Sequence, residues 1–164
     1  MTGTLKGRLS FRPIGEEDLE FLYRVYASTR AREMALTGWS AEQVEEFLRM
    51  QFRLQHVQYT ENYRNAVFEI ILFDSEPAGR LYVDRRQGEI RIIDIALLPE
   101  FRRRGIGSQI MQDLTAEADR NRLPLNLHVE IDNPALDMYG QLGFKKVREA
   151  YPYYFMERPP SPPG

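Results

Sequence analysis

The chain has 164 residues, 43% hydrophobic and 28% charged, with a formal net charge of −2. That is most simply one domain with enough chain to bury a core, and its near-neutral balance excludes a general attraction to nucleic acid or membrane surfaces. The complete lack of cysteine excludes disulfides, zinc–thiolate sites and thiol nucleophiles; no apolar run approaches a membrane span and no signal-peptide core opens the chain, so a soluble cytoplasmic protein is expected.

Leu9 to Pro13 reads as a first strand, broken by Gly15. Glu16, Glu17 and Asp18 then place acids at the positive end of a helix, whose apolar stripe is Leu19, Leu22, Tyr23 and Tyr26 and which runs to about Leu36. Ser40 with Gln43 forms a capping box for a second helix, with Val44, Phe47, Leu48, Phe52 and Leu54 on its buried face and Met50 beside them; His56 to Tyr63 loses periodicity and reads as a fraying end and a loop. Val67 to Phe73, Ala78 to Asp84 and Glu89 to Leu98 form an antiparallel meander, with turn chemistry at Asp74-Ser-Glu-Pro77 and Gln87-Gly88.

The stretch from Ile92 to Ser108 has three parts. An apolar, β-branched run suits a buried strand, and Pro99 stops it. A helical pattern then begins near Gly105, with Ile106, Ile110 and Leu114 on one side, Met111 beside them, and an end near Asn121. Arg102, Arg103 and Arg104 stand just before this helix, where its dipole disfavours cations. An anion among them resolves the conflict. With Gly105 and Gly107 permitting close approach to the backbone, the junction reads as a phosphate cradle; the other reading is a solvated turn. The Walker pattern is absent, and Ile110 stands where a dinucleotide fingerprint needs Gly or Ala.

Leu125 to Ile131 alternates cleanly, with Asn126, His128 and Glu130 on the face away from Leu125, Leu127, Val129 and Ile131. Asn133-Pro134 reads as an N-cap and first position of a short helix ending at Leu142, which Gly143 terminates. Two last strands, Phe144 to Glu149 and Tyr153 to Glu157, complete a domain over residues 1–158, leaving 159–164 as a Pro-rich solvated tail.

Arg102-x-x-Gly105-x-Gly107 after a strand ending Ala-Leu-Leu-Pro resembles the acyl-CoA loop of the GNAT acyltransferase superfamily. Asn133-Pro-Ala-Leu-Asp-Met-Tyr139-x-x-Leu-Gly-Phe144 resembles the same family's C-terminal motif, and the order β-α-α-β-β-β-α-β-α-β-β matches it. The resemblance implies an α/β fold with a mixed, mostly antiparallel central sheet of about seven strands and about four helices. It implies acetyl transfer from acetyl-CoA to a primary amine by direct attack, the acceptor being a small amine or a peptide or protein amine; the alternative is a non-catalytic module of the same fold that binds or senses acyl-CoA.

The resemblance also places roles. Arg103, Arg104, Gly105, Ile106, Gly107 and Ser108 would hold the pyrophosphate, Ile95, Ala96 and Leu97 would pair with the pantetheine arm, and Asn133 would touch the cofactor. Tyr139 would protonate the departing thiolate, unless it merely packs a short helix. A histidine at the place of His128 serves as the base in a branch that acetylates protein N-termini, which favours a peptide acceptor slightly; His128 otherwise reads as a strand histidine in a polar groove. A lysine-like amine is deprotonated in only about one part in a few thousand at neutral pH, so a base has a task. Asp94, the acid in an apolar strand, is the rival, either as a carboxylate of raised pKa or as a structural acid paired with an arginine; a water chain is the third route. Trp39, Tyr59, Tyr63, Tyr151 and Tyr153 lie on segments that flank the acceptor groove in the family, or belong to the core. No metal site and no nucleic-acid or membrane partner is expected, and a homodimer is left open.

Overall fold

The computed structural model describes Leu5 and residues 7–162. Among these residues the elements are β1 (Leu9–Pro13), α1 (Leu19–Ala35), α2 (Ala41–Asn62), β2 (Val67–Phe73), β3 (Glu76–Arg85), β4 (Ile90–Leu97), α3 (Ile106–Arg120), β5 (Leu125–Glu130), α4 (Leu136–Gln141), β6 (Lys145–Ala150) and β7 (Tyr153–Arg158). The seven strands form one sheet in the order β1-β2-β3-β4-β5-β7-β6. Every pairing is antiparallel except β4 with β5. The expected α/β architecture is therefore present, helix for helix and strand for strand.

Strand alternation divides the side chains between two faces. Leu81 and Val83 of β3, Ile90 and Ile92 of β4, and Leu125 and Leu127 of β5 join the α3 stripe of Ile106, Ile110, Met111, Leu114 and Ala118 in one core. A second cluster lies under α1 and α2, where Leu22, Tyr23 and Tyr26 meet Leu48, Phe52 and Ile70. The α2 start is the capping box read from sequence: the Gln43 N–H donates to Ser40 Oγ (3.1 Å) and the Ser40 N–H donates to Gln43 Oε1 (2.9 Å).

Two boundaries need correction. The helix α2 does not fray at His56 but continues to Asn62. Tertiary contacts hold its last turns: Gln55 accepts a hydrogen bond from Arg80 (2.9 Å), His56 stacks on Phe52 (5.8 Å) and Tyr59 meets Tyr82 edge-on (5.9 Å). Asn133 is not the cap of α4, which begins at Leu136; its Oδ1 accepts from the Ala135 N–H (2.7 Å) and closes the turn before the helix. Pro159–Pro162 has no regular structure, yet its first residues are tied: Arg158 forks onto Asp119 (2.8 and 3.0 Å) and the Ser161 N–H donates to the same carboxylate (2.8 Å). The Arg158 bond, aided by Ser161, lowers the Asp119 pKa to about 2.

One irregularity positions everything that follows. Tyr82 is paired with Asp94 but Val83 with Ile92, so Ile93 is an extra residue in β4. The parallel pairing with β5 covers only Ile90–Ile92 against Leu125–Leu127. Beyond it the strands part, and a slot opens between the C-terminal ends of β4 and β5.

Candidate active site

On one side of the slot lies a cavity of about 790 Å³ bordered by Ile95, Ala96 and Leu97 of β4, Gly107 of α3, and Asn133, Met138 and Tyr139 across the gap. At the α3 start it exposes backbone. Gly105 caps α3 in the left-handed region (φ 82°), and Arg103 before it also has positive φ (60°). No side chain caps this helix, so its first N–H groups, which have no intrahelical acceptor, stay available at the positive end of the dipole. A Cβ added at Gly107 would meet no heavy atom within 4 Å, so the first turn faces open space.

The arginine run does not converge on one point as the sequence suggests. Arg102 turns inward, donating from Nε to the Leu97 carbonyl (2.9 Å) and from Nη2 to Ser28 Oγ (3.1 Å). Arg104 lies over the rings of Phe101 (5.4 Å) and Phe73 (6.0 Å). Arg103 is exposed beside the helix start. Ile106 gives its side chain to the core, leaving only its backbone for a ligand, and Ser108 donates to Met138 Sδ (3.2 Å), tying α3 to α4.

On the other side lies a cavity of about 330 Å³, which shares Thr29, Ile95, Ala96, Glu130, Asn133 and Tyr139 with the first and adds His128, Asp94, Arg80 and Arg91. Tyr139 is buried, at 6% exposure, and its hydroxyl has no hydrogen-bond partner among the described residues. Burial and the nearby Asp94 charge push its pKa up to about 12, so the hydroxyl keeps its proton at neutral pH. His128 rests its ring on Phe155 (4.9 Å); partial burial, then the charges of Arg91 and Arg148, lower its pKa. The neutral imidazole therefore dominates at neutral pH. Asp94 is ion-paired with Arg80, which is 3% exposed and also donates to Gln55; of its two readings, the geometry gives the paired acid. Tyr59, Tyr63 and Tyr153 line this cavity. Trp39 does not: it packs on Phe47 (5.4 Å) beside the α1–α2 groove. Tyr151 stands 81% exposed and lines neither cavity.

Residues 32–144 match the model of the acetyltransferase (GNAT) family. The chain belongs to the GNAT family. It is 35% identical over 66 residues to an N-alpha-acetyltransferase of Saccharolobus solfataricus, a match covering 38% of this chain and 40% of that protein. Among solved structures it is similar to the PaiA N-acetyltransferase of Thermoplasma acidophilum in complex with coenzyme A (20% identity, TM-score 0.67, covering 92% and 98% of the two chains). It is likewise similar to the ribosomal-protein-S18-alanine N-acetyltransferase of Escherichia coli (19% identity, TM-score 0.64, covering 95% and 96%).

Acetyl-CoA is the cosubstrate of GNAT acetyltransferases, and the residues of this GNAT chain suit it. The α3 start offers N–H groups to a pyrophosphate, and beyond Ile92 the β4 edge has no β5 partner, as a pantetheine arm needs. Sequence reasoning singled out Tyr139, His128 and the β4 end, but missed Arg80, Arg30 and Glu130. Arg30 donates to Glu130 at 2.9 Å across 100 residues of chain. For Arg80 a signal existed: like Asp94, it is a lone charge within an apolar strand. Arg30 and Glu130 carried none.

Proposed function

We propose that this GNAT protein is an N-acetyltransferase that moves the acetyl group of acetyl-CoA onto the α-amine of a peptide or protein. The observation that carries the reading is the meeting of the two cavities at Tyr139, one with exposed backbone at the α3 start suited to the cofactor and the other a polar chamber with a neutral histidine. The partial identity to an N-alpha-acetyltransferase supports the choice of a peptide amine over a free small amine.

In this mechanism the donor lies along β4 with its pyrophosphate on the α3 N–H groups, and its thioester reaches the slot. The acceptor enters the smaller cavity. Its nitrogen lone pair attacks the thioester carbon, the C–N bond forms and the C–S bond breaks. The nitrogen proton passes to His128, directly or through one water. The Tyr139 hydroxyl, protonated and free of other partners, donates to the departing sulfur. Asp94, paired with Arg80, lies near enough to raise the Tyr139 pKa and so helps keep the tyrosine proton on. We place the reaction in the cytoplasm.

The test is an acceptor screen with acetyl-CoA, read by released thiol and by the mass of the product. Acetylated peptide N-termini are expected. Tight coenzyme A binding with no amine acetylated would replace the enzyme by a non-catalytic binding module.

A further inference from the structure

At the wall of the smaller cavity, which His128 and Arg91 line, these two and Arg148 outside it converge on one ring. His128 of β5 and Arg148 of β6 are both in register with Phe155 of β7, forming a row across the sheet. The Arg148 guanidinium lies 4.4 Å from the Phe155 centroid and the Arg91 guanidinium 5.3 Å from it. Two like charges drawn to one aromatic ring repel each other unless counterions intervene. Arg91 has partial relief, donating to Asn126 Oδ1 (2.5 Å) with Glu89 at 3.6 Å. Arg148 has no hydrogen bond or ion pair among the described residues, and it stands on a strand whose residues are all exposed.

Within the cavity the charges are already spent. Asp94 is held by Arg80 and Glu130 by Arg30, so neither acid is left over for a cationic acceptor. The unmatched charge is positive and lies outward from His128, two strands toward the β6 edge of the sheet.

From this we infer a specificity site: Arg148, with Arg91, receives an acidic side chain at the second or third position of the acceptor peptide, so that this enzyme selects acidic N-termini and rejects basic ones. The inference rests on the proposed peptide acetylation. Arg148 touches neither donor nor reacting nitrogen, and Arg91 serves as its partner on the ring.

The experiment compares peptides of equal length that differ only in Glu, Gln or Lys at those positions, with free glutamate as a separate acceptor, at a pH above the histidine range. For the native protein kcat/KM should fall in the order Glu, Gln, Lys, with each step about threefold to tenfold and shrinking with added salt. Arg148→Glu should reverse the order of the Glu and Lys peptides. Equal rates for all three peptides, or a Glu preference that survives in Arg148→Glu, would overturn the inference and leave peptide acetylation standing. Acetylation of free glutamate but of no peptide would overturn both the specificity site and the peptide acceptor. Failure to acetylate any amine would remove the enzymatic reading itself.

Discussion

The two cavities that meet at Tyr139 are made of different material. The larger one exposes main chain at its centre, an unpaired strand edge, the open start of α3 and a glycine facing space, with α1 residues such as Ser28 and Arg32 at its border. The smaller one is built from side chains paired over long distances, Arg80 with Asp94 and Arg30 with Glu130. Main-chain groups present the same donors whatever residues surround them, which suits a cofactor common to a whole family. Side-chain pairs change with each substitution, which suits an acceptor that differs from one member to the next.

That contrast yields a graded set of tests. The largest effect belongs to the main-chain side. Gly107→Glu puts an anionic side chain into the first turn of α3, where it suits the helix dipole and so leaves folding intact. It should weaken acetyl-CoA by more than about 100-fold with an undiminished thermal midpoint. Native affinity by calorimetric titration would move the cofactor out of this groove.

At the junction itself, Tyr139→Phe removes a hydroxyl and keeps the ring against Phe144 (5.7 Å). Turnover should drop on the order of 100-fold while cofactor affinity stays near native, because the lost bond acts in the transition state. Wild-type turnover on a good acceptor would end the role given to this hydroxyl.

The side-chain cavity should answer in stability. Arg80→Met leaves Asp94 without its partner. Breaking a fully buried pair costs roughly 3–5 kcal/mol, and the partial exposure of Asp94 reduces this to about 2 kcal/mol, readable in denaturant titration. A melt identical to wild type would show the pair to be dispensable.

The smallest effect is in the pH profile. Burial, Arg91 and Arg148 together hold the His128 pKa down, so kcat/KM should rise with a midpoint below the ordinary ~6.5. Arg148→Ala should move that midpoint upward, and His128→Gln should abolish the limb. The sign for stability follows. A histidine whose folded pKa is lowered gives its full contribution above the unfolded pKa and loses it as pH falls through and below that value, because the unfolded chain then binds the proton more readily. An unmoved midpoint in Arg148→Ala would separate the arginine from the base.

The same contrast explains what could be read from the chain. Gly105, Gly107 and the Pro99 stop lie within a few residues of one another, so a strand–turn–helix junction written locally was legible, while Ile95 to Leu97 came from the family resemblance. Tyr139 was legible through its neighbours Leu142, Gly143 and Phe144. The pairing of Arg30 with Glu130 was not, because nothing in either segment points to the other until the sheet has formed. The last turns of α2 were hidden for a related reason: Gln55 and Tyr59 lack a helical stripe of their own, and it is Arg80 and Tyr82 on another strand that hold them. Arg102 was read as part of a cradle because position was visible and orientation was not.

The extra residue in β4 has a consequence in phase. Core contacts along this strand fall at Ile90 and Ile92, then at Ile95 and Leu97. The even-numbered rhythm becomes odd across Ile93. Had the rhythm run on unbroken, Asp94 and Ala96 would point at the α3 helix, and a carboxylate would sit among Ile110 and Leu114. With the shift, Asp94 faces Arg80 and the acceptor chamber, and the strand leaves its parallel neighbour at the same point. A single inserted peptide unit thus acts as a frameshift written in space. It turns a closed sheet into one with a seam, and it decides which side of that seam receives oil and which receives charge.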